Sequence, residues 1–110
     1  MQSVKQTLAQ ELRQLSVDDA QFFSKLHTHI DHALHELKVD SLEAALKRCH
    51  ISPANKAYIK HLHHYIEQES RGNEIDLPEA LVHSKDNFYE VIIEQVIDMF
   101  ELLEVGIDAD

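Results

Sequence analysis

Ser84–Gly106, SKDNFYEVIIEQVIDMFELLEVG, is the longest apolar run in the chain, and its reading decides the fold. At about 100° per residue, its apolar side chains (Phe88, Tyr89, Val91, Ile92, Ile93, Val96, Met99, Phe100, Leu102 and Leu103) cover roughly 200° of a helix. That is wider than the stripe of an ordinary surface helix, so burial requires several neighbours, or one neighbour and a second copy of the chain. The remaining arc carries Glu90, Glu94, Asp98, Glu101 and Glu104, interrupted mainly by Ile97 and without any Lys or Arg.

Working outward from this helix, the rest of the composition is helical too. Only two Gly and two Pro occur in 110 residues, and Trp is absent. Leu, Ala, Glu, Lys and Gln, the good helix formers, dominate. The expectation is an all-α fold: one domain, 1–110, folded as a compact bundle of four to six helices, two of them long (about 17–38 and 84–104) and the others short.

The start and stop signals divide the chain accordingly. Ser3-Val4-Lys5-Gln6 reads as a capping box, with Val4, Leu8, Leu12 and Leu15 at helical spacing behind it. Ser16 precedes Asp18 and Asp19, acids suited to a first turn, and opens a second helix to about Lys38 with Phe22, Phe23, Leu26, Ile30, Ala33, Leu34 and Leu37 on one face. This face is the expected partner of the last helix. Asp40 or Ser41 caps a short third helix, and Ser52-Pro53 opens a fourth that ends before Gly72. Arg71–Leu77 is a loop, Pro78 opens a further turn through His83, Ser84 caps the last helix, and Asp108–Asp110 fray.

One cysteine, Cys49, excludes an internal disulfide and a thiolate zinc site. Together with the lack of an amino-terminal apolar core or a bilayer-length apolar run, this points to a cytoplasmic protein with no membrane association. The net charge of −10 is uneven: residues 1–60 hold eight Lys/Arg and seven Asp/Glu, whereas residues 61–110 hold two and thirteen. Such a balance disfavours sequence-independent binding to nucleic acid, which needs a net basic face.

Three constellations carry functional meaning. The first is the acidic arc. Glu101 and Glu104 oppose the macrodipole at a helix carboxyl end, and the like charges Glu90/Glu94 and Glu94/Asp98 repel at i,i+4. A sequence that tolerates both suits a basic protein partner, or a second copy of the chain. The second is histidine: nine occur, seven of them in two clusters. His27, Asp31 and His35 stand at i, i+4 and i+8, a spacing that suits a divalent metal such as zinc or nickel, and a mixed His/Asp site forms if this helix packs beside the one carrying His61, His63, His64 and Glu67. The third is Leu42–Leu62, LEAALKRCHISPANKAYIKHL, the one basic stretch and a candidate helix-turn-helix, although His50 stands where such turns favour Gly.

No nucleophilic triad or phosphate loop is present, and no small-molecule substrate is evident; each of Ser3, Ser16, Ser41, Ser52 and Ser84 is a helix cap. The leading expectation is therefore a non-enzymatic regulator or inhibitor of the antitoxin, immunity, adaptor or anti-defence type. It acts through Glu90, Glu94, Asp98, Glu101 and Glu104 as a homodimer or obligate complex, without a cofactor. The alternatives are a histidine-based metal-binding or pH-responsive module, and a DNA-binding regulator using residues 42–62.

Overall fold

Serine hydroxyls set where three of the helices begin. In a computed structural model that describes residues 3–15, 21–73, 75–76, 81 and 87–107, Ser3 caps α1 (Val4–Leu12) and forms the reciprocal capping box with Gln6. Ser41 accepts from the Ala44 amide to open α3 (Leu42–Arg48). Ser52 accepts from the Asn55 amide to open α4 (Pro53–Ser70), with Pro at the first helical position, where its missing N–H costs nothing. The expected caps Ser16 and Ser84 lie outside the described residues, as do the tail Asp108–Asp110 and all of the turn opened by Pro78 except Leu81, which is buried in the core.

The two long helices start later than their sequence suggests, and one ends earlier. Residues Phe22–Glu36 form α2, which Gln21 precedes without a side-chain cap. The last helix, α5, spans Phe88–Gly106 behind Asn87. The carboxyl end of α2 falls at Glu36 because Lys38 takes a left-handed conformation, φ 63°. This lets the amides of Lys38 and Val39 bond back to the carbonyls of His35 and Leu34 and tucks Val39 into the core. Gly72, φ 79°, ends α4 in the same way, with Gly72 and Asn73 bonded to Glu69 and Gln68. With 18 residues α4 is a third long helix, not one of the short ones.

Five helices and no strand occur among the described residues, so the fold is an all-α bundle. Its radius of gyration, 13.4 Å, matches the value of about 13 Å for a compact chain of this size. The core draws on every helix: Leu8 and Leu12, Leu26 and Ile30, Ala45, Ile59, Leu62 and Ile66, then Ile92, Val96, Met99, Phe100 and Leu103. Each fully buried Leu, Ile or Phe contributes about 1.5–3 kcal/mol relative to exposure.

Two expectations about α5 are corrected. It lies lengthwise against α1, while α2 packs mainly on α4 and α1. Ala9, small and buried, stands on the face where α1 meets its neighbours. In addition, one chain covers most of the wide apolar arc: Ile92, Ile93, Val96, Ile97, Met99, Phe100 and Leu103 are buried, Phe88, Val91 and Leu102 are half-buried, and Tyr89 and Val105 are the large apolar side chains left exposed. Ile97, read as an interruption of a solvent-facing ridge, is core.

Gly106 fixes how α5 ends. A Cβ there would run into Cys49 Sγ and come within 2.9 Å of Ile51 Cγ2. Only Gly allows the turn after α3 to lie this close, where the His50 amide donates to the Gly106 carbonyl at 2.8 Å and Cys49 pairs with Ile107. Among the described residues, no helix is long and apolar enough to cross a membrane.

Candidate functional site

The packing of α2 on α4 brings two histidines together. Leu26 and Leu62 are buried in the core, so helical geometry sets the next residues, His27 and His63, at the flank of the same interface, where both are half-buried. The two helices run in opposite directions: Ser24 near the start of α2 reaches the Ser70 carbonyl at the end of α4, and His27 lies between His63 and Glu67. The imidazole rings of His27 and His63 stand 5.8 Å apart between centroids, inclined by 41°. Asp31, one turn along from His27, approaches its Nδ1 to 3.5 Å.

One donor atom from each of His27, Asp31 and His63 falls within 4.8 Å of the other two. A tetrahedral ion with bonds of about 2.0–2.1 Å needs donors about 3.4 Å apart.

The electrostatics of the cluster are unusual. The Nε2 atoms of both His27 and His63 are shielded from solvent and lack a hydrogen-bond partner. Glu67 Oε2 comes to 3.9 Å from His27 Nε2, which is an ion-pair separation and too long for a hydrogen bond. Burial lowers the pKa of His63 from its ordinary value; the charges of Glu67 and Asp31 act in the opposite sense, and His27 and His64 add to the lowering. A neutral imidazole with an unshared pair on a dry nitrogen is the form that ligates a metal.

Of the three residues expected to hold a metal, His27 and Asp31 are in the cluster and His35 is not. His35 is exposed, two turns beyond His27. The third donor comes instead from α4, because a ligand four residues further along one helix points outward, whereas a facing helix supplies one across the interface. Among the described residues, the remaining histidines of the two clusters are paired with carboxylates or exposed. His29 Nδ1 lies 3.0 Å from Glu11 of α1, His32 lies 3.7 Å from Glu36, and His61 and His64 are exposed. The sequence signal for His63 was its register: His27-x-x-x-Asp31 recurs as His63-x-x-x-Glu67.

No family model, curated protein or solved structure matches this chain.

The acidic arc of α5 divides in two. Glu104, half-buried, accepts from the amides of Val4 at 2.9 Å and Lys5 at 3.2 Å. It thereby satisfies two of the four amides that the start of any helix leaves free. Glu101 pairs with Lys5 at 3.5 Å and Glu94 with Arg13 at 3.3 Å. Because α1 and α5 are antiparallel, the carboxyl-terminal acids of α5 meet the positive end of α1, which offsets the unfavourable interaction with their own helix. Glu90 and Asp98 remain exposed, and among the described residues neither forms an ion pair or side-chain hydrogen bond. The negative charge of Asp98 does reach Tyr58 of α4, whose pKa rises to about 12, chiefly through burial.

The 42–62 unit folds as two helices joined through Cys49–Ser52. Its turn is fastened to α5 by the His50–Gly106 bond. Cys49 is buried, and burial raises its thiol pKa, so it behaves as core and not as a nucleophile.

Proposed function

We propose that this protein is a non-enzymatic helical module that binds one divalent first-row metal ion between α2 and α4, with His27, Asp31 and His63 as ligands. The observation that carries the reading is the pair of buried, unpartnered Nε2 atoms on facing histidines beside a carboxylate. A buried polar atom without a partner costs about 1–3 kcal/mol, and a metal bond is one way to recover it. Two imidazoles with carboxylate suit zinc, cobalt or nickel. They suit calcium and magnesium poorly, which prefer all-oxygen shells, and copper(I) poorly, which prefers sulfur.

The test is calorimetric titration with zinc and nickel. The wild-type chain binds one equivalent with a Kd below about 10 µM, and His63→Ala and His27→Ala bind none. No binding by the wild type, or binding by both alanine variants as tight as that of the wild type, overturns the reading.

A second reading, a partner protein with a basic surface, draws on Glu90 and Asp98, the two acids of α5 that are not engaged by α1. Reversing both to Lys slows association with such a partner and flattens its salt dependence; unchanged association removes this reading.

A further inference from the structure

His27 stands between two carboxylates that reach it from different helices and at different atoms. Asp31, one turn further along α2, lies 3.5 Å from Nδ1, and Glu67 of α4 lies 3.9 Å from Nε2. The two nitrogens of an imidazole point in diverging directions, so an ion bound at one is out of reach of a carboxylate that stands at the other. The choice of nitrogen therefore also chooses which acid shares the ion.

The separations favour Nδ1. Asp31 Oδ2 is farther from it than an ordinary hydrogen bond allows, yet its 3.5 Å is close to the spacing of about 3.4 Å between neighbouring donors on a tetrahedral ion. Asp31 also belongs with His27 and His63 to the group whose donors lie within 4.8 Å of one another, and Glu67 does not. Of the two acids Glu67 is the less exposed, 31% against 57%, which suits a carboxylate held in the interface as an acceptor.

We propose that the ion binds Nδ1 of His27 together with Asp31 and His63, and that Glu67 is a positioning residue that accepts a hydrogen bond from Nε2–H of His27, leaving the fourth coordination position to water. This rests on the metal-binding reading above. A metal on Nδ1 fixes the ring proton on Nε2, the shielded atom that makes no hydrogen bond in the metal-free chain. Glu67 becomes the acceptor for that proton, so the ion relieves this nitrogen through the ring and not by bonding to it. A carboxylate placed in this way fixes the orientation of the ring and raises the basicity of the nitrogen on the metal. Three protein ligands and a water make an open site. A small anion, or a donor side chain of another protein, can replace the water, which a site closed by four side chains does not permit.

Long-range proton–nitrogen correlation spectra of the zinc-bound full chain read the ring directly: His27 carries its proton on Nε2 and the metal on Nδ1. Because this assignment is made on the wild type, it does not depend on the folding of any variant. Glu67→Ala, with the helicity of the wild type, keeps one equivalent of zinc but binds it about 10–100-fold more weakly. Glu67→Gln, whose amide oxygen still accepts, loses less. The cobalt(II) forms of all three absorb visible light alike, because the ligands are unchanged, and excess thiocyanate alters that absorption by replacing the water. The proposal falls, and the metal-binding reading stands, if His27 keeps its proton on Nδ1 in the zinc complex. It falls equally if folded Glu67→Ala binds zinc as the wild type does or not at all, if the cobalt spectrum changes with Glu67, or if thiocyanate leaves that spectrum as it was. If the wild type binds no zinc, the reading beneath it falls as well.

Discussion

Two interfaces in this bundle join antiparallel helices through side chains of opposite character, and they end in opposite states. Between α1 and α5, three carboxylates of α5 reach donors on α1: Glu104 on two free amides, Glu101 on Lys5 and Glu94 on Arg13. Between α2 and α4, two imidazole nitrogens are shielded from solvent and form no hydrogen bond, Glu67 standing 3.9 Å from that of His27. The first interface resolves its polar groups internally and serves the fold. The second keeps two polar atoms without a hydrogen bond, and the proposed metal site rests on them. Number of charges is a poor guide to function here; the state of each polar atom after packing is a better one.

The difference can be tested from its largest expected effect downward. With zinc at about a hundred times its Kd, the folded state gains about 2.7 kcal/mol. In a chain of this length that raises Tm by roughly 10 °C. His63→Ala removes the gain, and a melting curve indifferent to zinc in the wild type would erase the contrast between the interfaces. Next is Glu104→Ala, which strips two amides at the start of α1 of their acceptor. Urea denaturation should show a loss of about 1–2 kcal/mol with the response to zinc intact.

His63→Leu works in the reverse direction. In the absence of metal it replaces an unpartnered buried nitrogen by hydrocarbon of similar size, so the metal-free protein becomes more stable by about 1 kcal/mol. A destabilised variant would mean that the imidazole is already satisfied. The smallest effect belongs to Arg13→Ala, whose ion pair with Glu94 is solvent-exposed on both sides. It costs no more than about 0.5 kcal/mol and less at high salt.

A pH effect accompanies these. Tyr65 and Tyr58 both have pKa values raised to about 12, first by burial and then by nearby carboxylates. A raised pKa favours the neutral phenol in the folded state, so this part of the stability is complete below about pH 10 and is lost as pH climbs through about 12. Absorbance titration of tyrosinate, followed together with helicity, reads both.

Much of the fold was legible because helix signals are local. Ser3, Ser41 and Ser52 cap where their sequence neighbours indicate, Gly72 ends α4, and the inward faces of α2 and α4 follow the 3.6-residue period. The end of α2 was not legible, since Lys38 is a residue type that seldom takes a left-handed conformation. Nor was the close approach at Gly106, which depends on Cys49 and Ile51 arriving from elsewhere in the chain. At the candidate site, His27 and Asp31 were accessible from spacing along one helix, but the exchange of His35 for His63 was not.

By itself, the sequence determined that the chain is helical, where most helices begin, which faces turn inward, and that acids gather on α5 and histidines on α2 and α4. Only the tertiary structure decided which of those groups meet: α1 took up three of the five acids, and α4 brought His63 and Glu67 to His27. The reason is that helix periodicity acts over one or two turns, whereas pairing between helices depends on how whole faces pack across long sequence separations. A residue's own neighbours in the chain therefore carry no record of the partner it acquires.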